Sequence, residues 1–156
     1  MRLVMAVSAD DYVARSDRDD MRWTGPADKA VFRILTSVGY APLAVSWKTS
    51  LLMPDLLPGR DLFKISRSGV GDGTLEEYHD AYPDGWLLGG QTLSLAATGF
   101  GLITEVHLCK SSVVLTQGIR FDTNLLVGLT ARMATEVEIL MRPPDEFNTS
   151  RVTVYR

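Results

Sequence analysis

One change of pattern along the chain does most to limit its fold. Up to about residue 100, short apolar runs that read as strands alternate with segments of helical periodicity, and beyond it only strand-like runs follow. Alternating strands and helices build a parallel sheet with helices packed on it. A tail of strands extends such a sheet in antiparallel fashion. The expected class is therefore α/β, with a sheet mostly parallel at its centre and antiparallel strands at one edge.

The elements follow from local chemistry. Residues 2–8 read as a buried strand, and the polar, Asp- and Arg-rich residues 9–25 as a long loop, a length that is usually functional in a compact domain. Pro26 fits the first position of a helix. Ala27, Ala30, Val31, Ile34 and Val38 then recur at helical spacing until Gly39 stops it. A short strand at 43–45 precedes a helix from about Thr49, which Pro54 breaks. Residues 57–60 form a turn, 61–66 a strand and 69–73 a loop. Residues 74–82 form a helix in which Thr74 and Glu77 make a capping box. Trp86-Leu87-Leu88 reads as a buried strand running into Gly89-Gly90, and 91–100 as a helix. Residues 104–115, 131–142 and 152–155 read as strands.

Bulk properties exclude several classes. The 156 residues suit one domain spanning 1–156, with 46% apolar and 22% charged residues. A net charge of −3 gives no electrostatic footprint for nucleic acid or an anionic membrane. No apolar run reaches the roughly 18 residues of a membrane helix. Asp10 and Asp11 cut the first apolar run too short for a signal peptide, and a cytoplasmic location is expected. Cys109 is the only cysteine, and His79 and His107, the only histidines, form no zinc motif. No metal is expected.

The residues with chemistry to offer cluster around strand-to-helix junctions. Asp28 lies in a first helical turn, and Phe32, four residues on, shares its face. The plain reading is an acid favoured by the helix dipole. The sharper one is a carboxylate that binds a flat N–C–N edge through two charge-assisted hydrogen bonds. Gly89-Gly90-Gln91-Thr92 is either a tight turn or a helix N-terminus open to a phosphate; it is not the full dinucleotide fingerprint. Lys48-Thr49 and Ser66-Arg67 follow strands, at the end where ligands gather in open α/β sheets, or are solvated surface. Arg60, on a Pro-Gly turn, offers a fork to a carboxylate or is an exposed turn residue. His107 and Cys109 face one side of a strand and read as core residues.

In this order the pieces resemble the dihydrofolate reductase family, from the first strand to about Phe121. Ala6, Asp11 and Val13 match its opening strand and turn, and Met21 and Trp23 the end of its mobile loop. Pro26-Ala27-Asp28 with Phe32 and Thr36 is similar to its substrate helix. Thr49 matches the start of its cofactor helix, Leu57-Pro58-Gly59-Arg60 its glutamate-tail turn, and Ile65-Ser66-Arg67 its 2′-phosphate strand end. Leu88-Gly89-Gly90 resembles its paired glycines, and residues 101–108 the entry to its late strand.

The resemblance implies a three-layer fold with helices on both faces of the sheet. It also implies NADPH-dependent reduction of dihydrofolate to tetrahydrofolate by a monomer, with antifolates as inhibitors. Asp28 would hold the pterin and support protonation at N5, with Trp23 and Met21 beside it. Val7, Phe32, Met53, Leu57, Leu88 and Cys109 would line the substrate, and Arg60 would pair with its carboxylate. Ala6, Ser46, Trp47, Lys48, Thr49, Ser66, Arg67, Gly89, Gly90, Gln91 and Thr92 would hold the cofactor.

Departures from the family pattern concentrate on the cofactor side. Ser46-Trp47-Lys48-Thr49 lacks the usual glycine and phosphate-binding cation. Ser94 stands where an aromatic is usual, Arg22 where proline is common, and Arg15 in place of a loop glycine. Cys109 replaces a threonine that supports the acid, and a thiol is a weaker hydrogen-bonding group. Two other readings remain open at this point. One is a same-fold reductase of another pyrimidine-like substrate, of the riboflavin-pathway type, against which Asp28 and Arg60 argue. The other is a non-catalytic protein that kept the fold.

Overall fold

A computed structural model describes residues 1–37, 39, 41–52, 60–66, 69–140 and 147–156. Its main sheet has seven strands. β1 (Arg2–Val7), β3 (Leu43–Ser46), β4 (Leu62–Ile65), β5 (Trp86–Leu88) and β6 (Glu105–Ser111) run parallel, and β8 (Ala131–Leu140) and β9 (Phe147–Tyr155) run antiparallel at one edge. The order across the sheet is β4-β3-β5-β1-β6-β9-β8. A separate two-stranded sheet pairs β2 (Tyr12–Ala14) with β7 (Ile119–Arg120). The α/β expectation, with its parallel centre and antiparallel edge, is met.

Helices lie on both faces because the strands alternate. On one face Leu3, Met5 and Val7 of β1 pack with Leu87 and Val106 against Leu75 and Tyr78 of α3 (Leu75–Ala81) and Ala97 of α4 (Gln91–Gly99). On the other, Val4, Trp86, Cys109 and Val152 pack against Val31, Phe32 and Leu35 of α1 (Pro26–Thr36). A fourth helix, α2 (Trp47–Leu52), follows β3 directly. The Thr74–Glu77 capping box opens α3 as expected: Glu77 N donates to Thr74 Oγ1 at 3.2 Å, and Thr74 N to Glu77 Oε2 at 2.7 Å.

This winding creates a crevice. β1 and β5 are parallel neighbours, yet the first helix after β1 is α1, on one face, and the first after β5 is α4, on the other. The chain parts at their carboxyl ends, which is where open α/β sheets bind ligands.

Several boundaries differ from the sequence expectation. The loop at 9–25 contains β2, which pairs with a two-residue partner too short to show periodicity. β6 ends at Ser111 rather than 115, and α2 begins at Trp47 rather than Thr49. α1 ends at Thr36, with Gly39 in the left-handed region at φ 105° just beyond. The last strand begins at Phe147, because Asn148, Thr149 and Ser150 are polar residues in a strand whose inner face is buried. Val38, Pro54, and residues 141 and 142 of the expected strand lie outside the described residues.

Candidate functional site

α1 is set at the crevice by its first turn. Gly25 precedes it, in extended conformation, and a β-carbon there would collide with the carboxamide of Asn148. That close approach lets Asn148 Oδ1, on β9, accept the buried Ala27 N–H at 2.8 Å. Asp28 reaches back, and its Oδ2 accepts the Gly25 N–H at 3.0 Å. The carboxylate is 4% exposed, and its other oxygen, Oδ1, is buried with no hydrogen-bond partner among the described residues. A buried, unsatisfied carboxylate oxygen is costly unless something else is to meet it. Oδ2 thus serves the start of the helix, and Oδ1 is left without a partner among the described residues.

Asp28 lines a cavity of about 710 Å³ at the carboxyl ends of the central strands. One half is walled by Ala6, Met21, Thr24, Asp28, Phe32, Leu88 and Cys109, with Lys29 and Arg33 of α1 also on the lining. The other half is walled by Ser46, Lys48, Thr49, Leu52, Ile65 and the run from Gly89 to Thr92. Sequence reasoning did not single out Lys29, Arg33, Thr24 or Leu52. The spacing of Lys29 and Arg33 beside Asp28 and Phe32 carried a usable signal.

The loop before α1 closes the top, contributing Ser16, Asp17, Asp19 and Met21. One carboxylate organises it: Asp19 accepts the Met21 N–H at 2.8 Å and the Arg15 N–H on its other oxygen. Met21 sits at φ 58°, a conformation that costs a residue with a β-carbon about 1–2 kcal/mol. Thr24 secures it, donating to Met21 O from N at 3.1 Å and from Oγ1 at 2.8 Å. Backbone strain of this kind gathers at functional loops.

On the far side, the Ser46 hydroxyl accepts the Thr49 N–H at 3.0 Å and donates to Thr49 Oγ1 at 2.7 Å, which caps α2. Lys48 Nζ is 3.1 Å from Asp17 Oδ2. α4 begins after Gly90 with no side-chain cap, so the N–H groups of its first turn are offered to the crevice. The glycines allow a close approach: a β-carbon at 90 would stand 3.2 Å from Thr49 Oγ1, and one at 89 would stand 2.7 Å from Met5 Cε. Gln91 Oε1 accepts the Asp122 N–H at 2.9 Å, so this side chain braces the helix start.

Cys109 is buried on β6, opposite Ala6 in register. Burial, and then the nearby Asp28 charge, push its thiol up to about 12. It is a neutral wall of the cavity at physiological pH. His107, two residues earlier, contacts Glu105 through Nε2 and lies edge-on to Trp86 at 4.9 Å, outside the cavity.

Other expected site residues sit elsewhere. The Val7 side chain belongs to the core on the opposite face of the sheet, because β1 alternates. Trp23 is buried at 5% exposure and does not line the cavity. Arg60 is engaged with α1: its guanidinium donates to Thr36 O at 2.6 Å and Arg33 O at 3.2 Å, closing the carbonyls at the helix end. Trp47 is 39% exposed, with the Lys64 ammonium 5.2 Å from its ring centre. Ser66 follows β4, its N–H bonded to Gly73 O at 3.1 Å. Met53, Leu57 and Arg67 lie outside the described residues.

Among the described residues no group of metal-ligating side chains gathers, and no helix is long and apolar enough to cross a membrane. Compared with models of known protein families and with curated proteins, the chain matches none.

Proposed function

We propose that this protein is a dihydrofolate reductase-like enzyme that reduces 7,8-dihydrofolate to tetrahydrofolate with NADPH. The observation that carries the proposal is the buried, unpaired Oδ1 of Asp28 in the wall of a cavity that reaches the glycine-rich start of α4. The parallel sheet with its antiparallel C-terminal edge, and helices on both faces, supports the same reading.

Asp28 holds the N–C–N edge of the pterin through charge-assisted hydrogen bonds, made strong by the low dielectric around them. Fixed negative charge at that edge also favours a proton on the ring, so N5 is protonated more readily. Phe32 packs on the aromatic middle of the substrate. Lys29 and Arg33, rather than the engaged Arg60, are the cations of α1 on the cavity lining and offer charge to its carboxylates. The residues 15–24 exclude water above the ring.

On this reading the far half of the cavity is the dinucleotide side. The uncapped N-terminus of α4, the close approach at Gly90 and Thr49, and Lys48 would hold phosphate groups. NADPH, when bound there, supplies the hydride for C6 of the substrate. The protein supplies position and electrostatics.

The test is steady-state NADPH oxidation with dihydrofolate. Turnover in the wild type and a loss of about 10²–10⁴-fold in kcat for Asp28→Asn are expected. A folded wild type that shows no turnover at millimolar substrate would refute the proposal. Methotrexate binding by calorimetry would then separate a pterin-binding protein from a reductase of a different substrate.

A further inference from the structure

Two cations on the wall of the cavity stand without a partner. Lys29 and Arg33 of α1 both line it, and among the described residues neither side chain has a hydrogen bond or an ion pair. They are four positions apart, so they share one stripe of the helix, with about 5–6 Å between their β-carbons. Asp28 and Phe32 form a second stripe, about 100° back around the same helix. One wall therefore offers an acid and an aromatic beside two cations.

This placement works against the helix. A positive charge near a helix N-terminus opposes the dipole, and like charges four residues apart repel each other. α1 supplies no acid to relieve them. The other helical neighbours of Lys29 are Gly25, Pro26 and Phe32, and those of Arg33 are Ala30, Thr36 and Ser37. The nearby Arg60 is spent on the carbonyls at the end of α1, and Lys48, on the far half, already meets Asp17. The buried, unpaired Oδ1 of Asp28 independently marks this wall as one that a ligand completes.

We propose that Lys29 and Arg33 are specificity residues that clamp a dianion, one carboxylate to each, so that the site selects folates with both carboxylates of the glutamate tail free. The proposal rests on the folate reading above and names which members of that class the site accepts. With the flat ring on Asp28 and Phe32, the tail runs onto the neighbouring stripe. Two carboxylates there cancel the repulsion between the cations. Masking either one leaves a cation unpaired and restores that repulsion. Arg33 is exposed and Lys29 half-buried, so each contact is worth about two- to five-fold in affinity.

The experiment is calorimetry on the full chain with three probes. Methotrexate carries both carboxylates, its dimethyl ester carries neither, and p-aminobenzoylglutamate carries the tail without the ring. Lys29→Gln and Arg33→Gln should each weaken methotrexate by about two- to five-fold, and the double variant by the product. The same variants should bind the diester as the wild type does. Their melting temperatures should be unchanged or higher, because the like-charge repulsion is relieved. Methotrexate affinity that is unaltered in both variants, or an equal loss for methotrexate and the diester, overturns the proposal. If the wild type binds p-aminobenzoylglutamate at millimolar concentration through Lys29 and Arg33 but binds neither methotrexate nor the diester, the clamp stands and the folate reading falls. If methotrexate and the diester bind the wild type equally, the clamp falls and the folate reading stands. A wild type that binds none of the three refutes both.

Discussion

Asp28→Asn separates the two tasks of this side chain by their opposite effects on stability. The substitution keeps the shape and removes the charge. In the wild type, Oδ2 accepts the Gly25 N–H at a helix N-terminus, where negative charge contributes about 0.3–1 kcal/mol. The amide oxygen of asparagine can keep that bond and forfeits only the charge. The other oxygen is buried without a partner, which costs about 1–3 kcal/mol, and more for an ionised group. The asparagine Nδ2 takes the unpaired place, so only the excess cost of an ionised group is relieved, and a net gain of about 1 kcal/mol follows. For a domain of this size that raises Tm by about 2–4 °C. Circular dichroism melts at neutral pH would record the gain in the same variant whose turnover collapses. A variant that melts several degrees lower would show that the acid is a helix cap first. The unpaired oxygen would then no longer point to a ligand.

Three further outcomes follow from other contacts. Burial and the Asp28 charge raise the Cys109 thiol from 9.0 to about 12, so the unfolded chain ionises first as pH rises. The stabilisation is complete below pH 9 and is lost between 9 and 12, and Cys109→Ser should flatten that alkaline fall in urea titrations. Arg60→Ala should cost about 1–2 kcal/mol by exposing two carbonyls at the end of α1, again read by urea unfolding. An unchanged midpoint would return Arg60 to the ligand. Asn148→Ala should cost about 1–3 kcal/mol by orphaning the buried Ala27 N–H, and should also weaken methotrexate binding, because the same turn carries Asp28. Lost stability with unaltered binding would mean that α1 is placed by its apolar face alone.

What was legible in the sequence is what depends on local chemistry. Pro26 and the spacing of Ala27 and Val31 specify α1, and Thr74 with Glu77 specifies the start of α3, because capping is settled within four residues. Trp86-Leu87-Leu88 before two glycines marks a buried strand end whatever lies around it. Long-range pairings left no such trace. Asn148 looks like a turn residue, and its role exists only because β9 brings it beneath Gly25, 123 residues earlier along the chain. The sequence around Arg60 reads as a turn that suits a carboxylate, but the end of α1 lies within reach and its carbonyls need donors.

The two halves of the cavity differ for a physical reason. On the α1 side, the acid, the aromatic and the basic residues come from one helix, so their juxtaposition is fixed by a spacing of about four residues and can be read directly. On the α2 side, Ser46, Lys48 and Thr49 are neighbours in sequence, but what they can do is decided by partners from elsewhere. Ser46 and Thr49 bond each other, Lys64 stacks on Trp47, and Asp17 holds Lys48. The side chains of this string are thus engaged within the protein, with partners that only the fold reveals. Under the cofactor reading, a phosphate on this side would also meet the N–H groups at the start of α4, which side-chain substitutions along α2 leave in place.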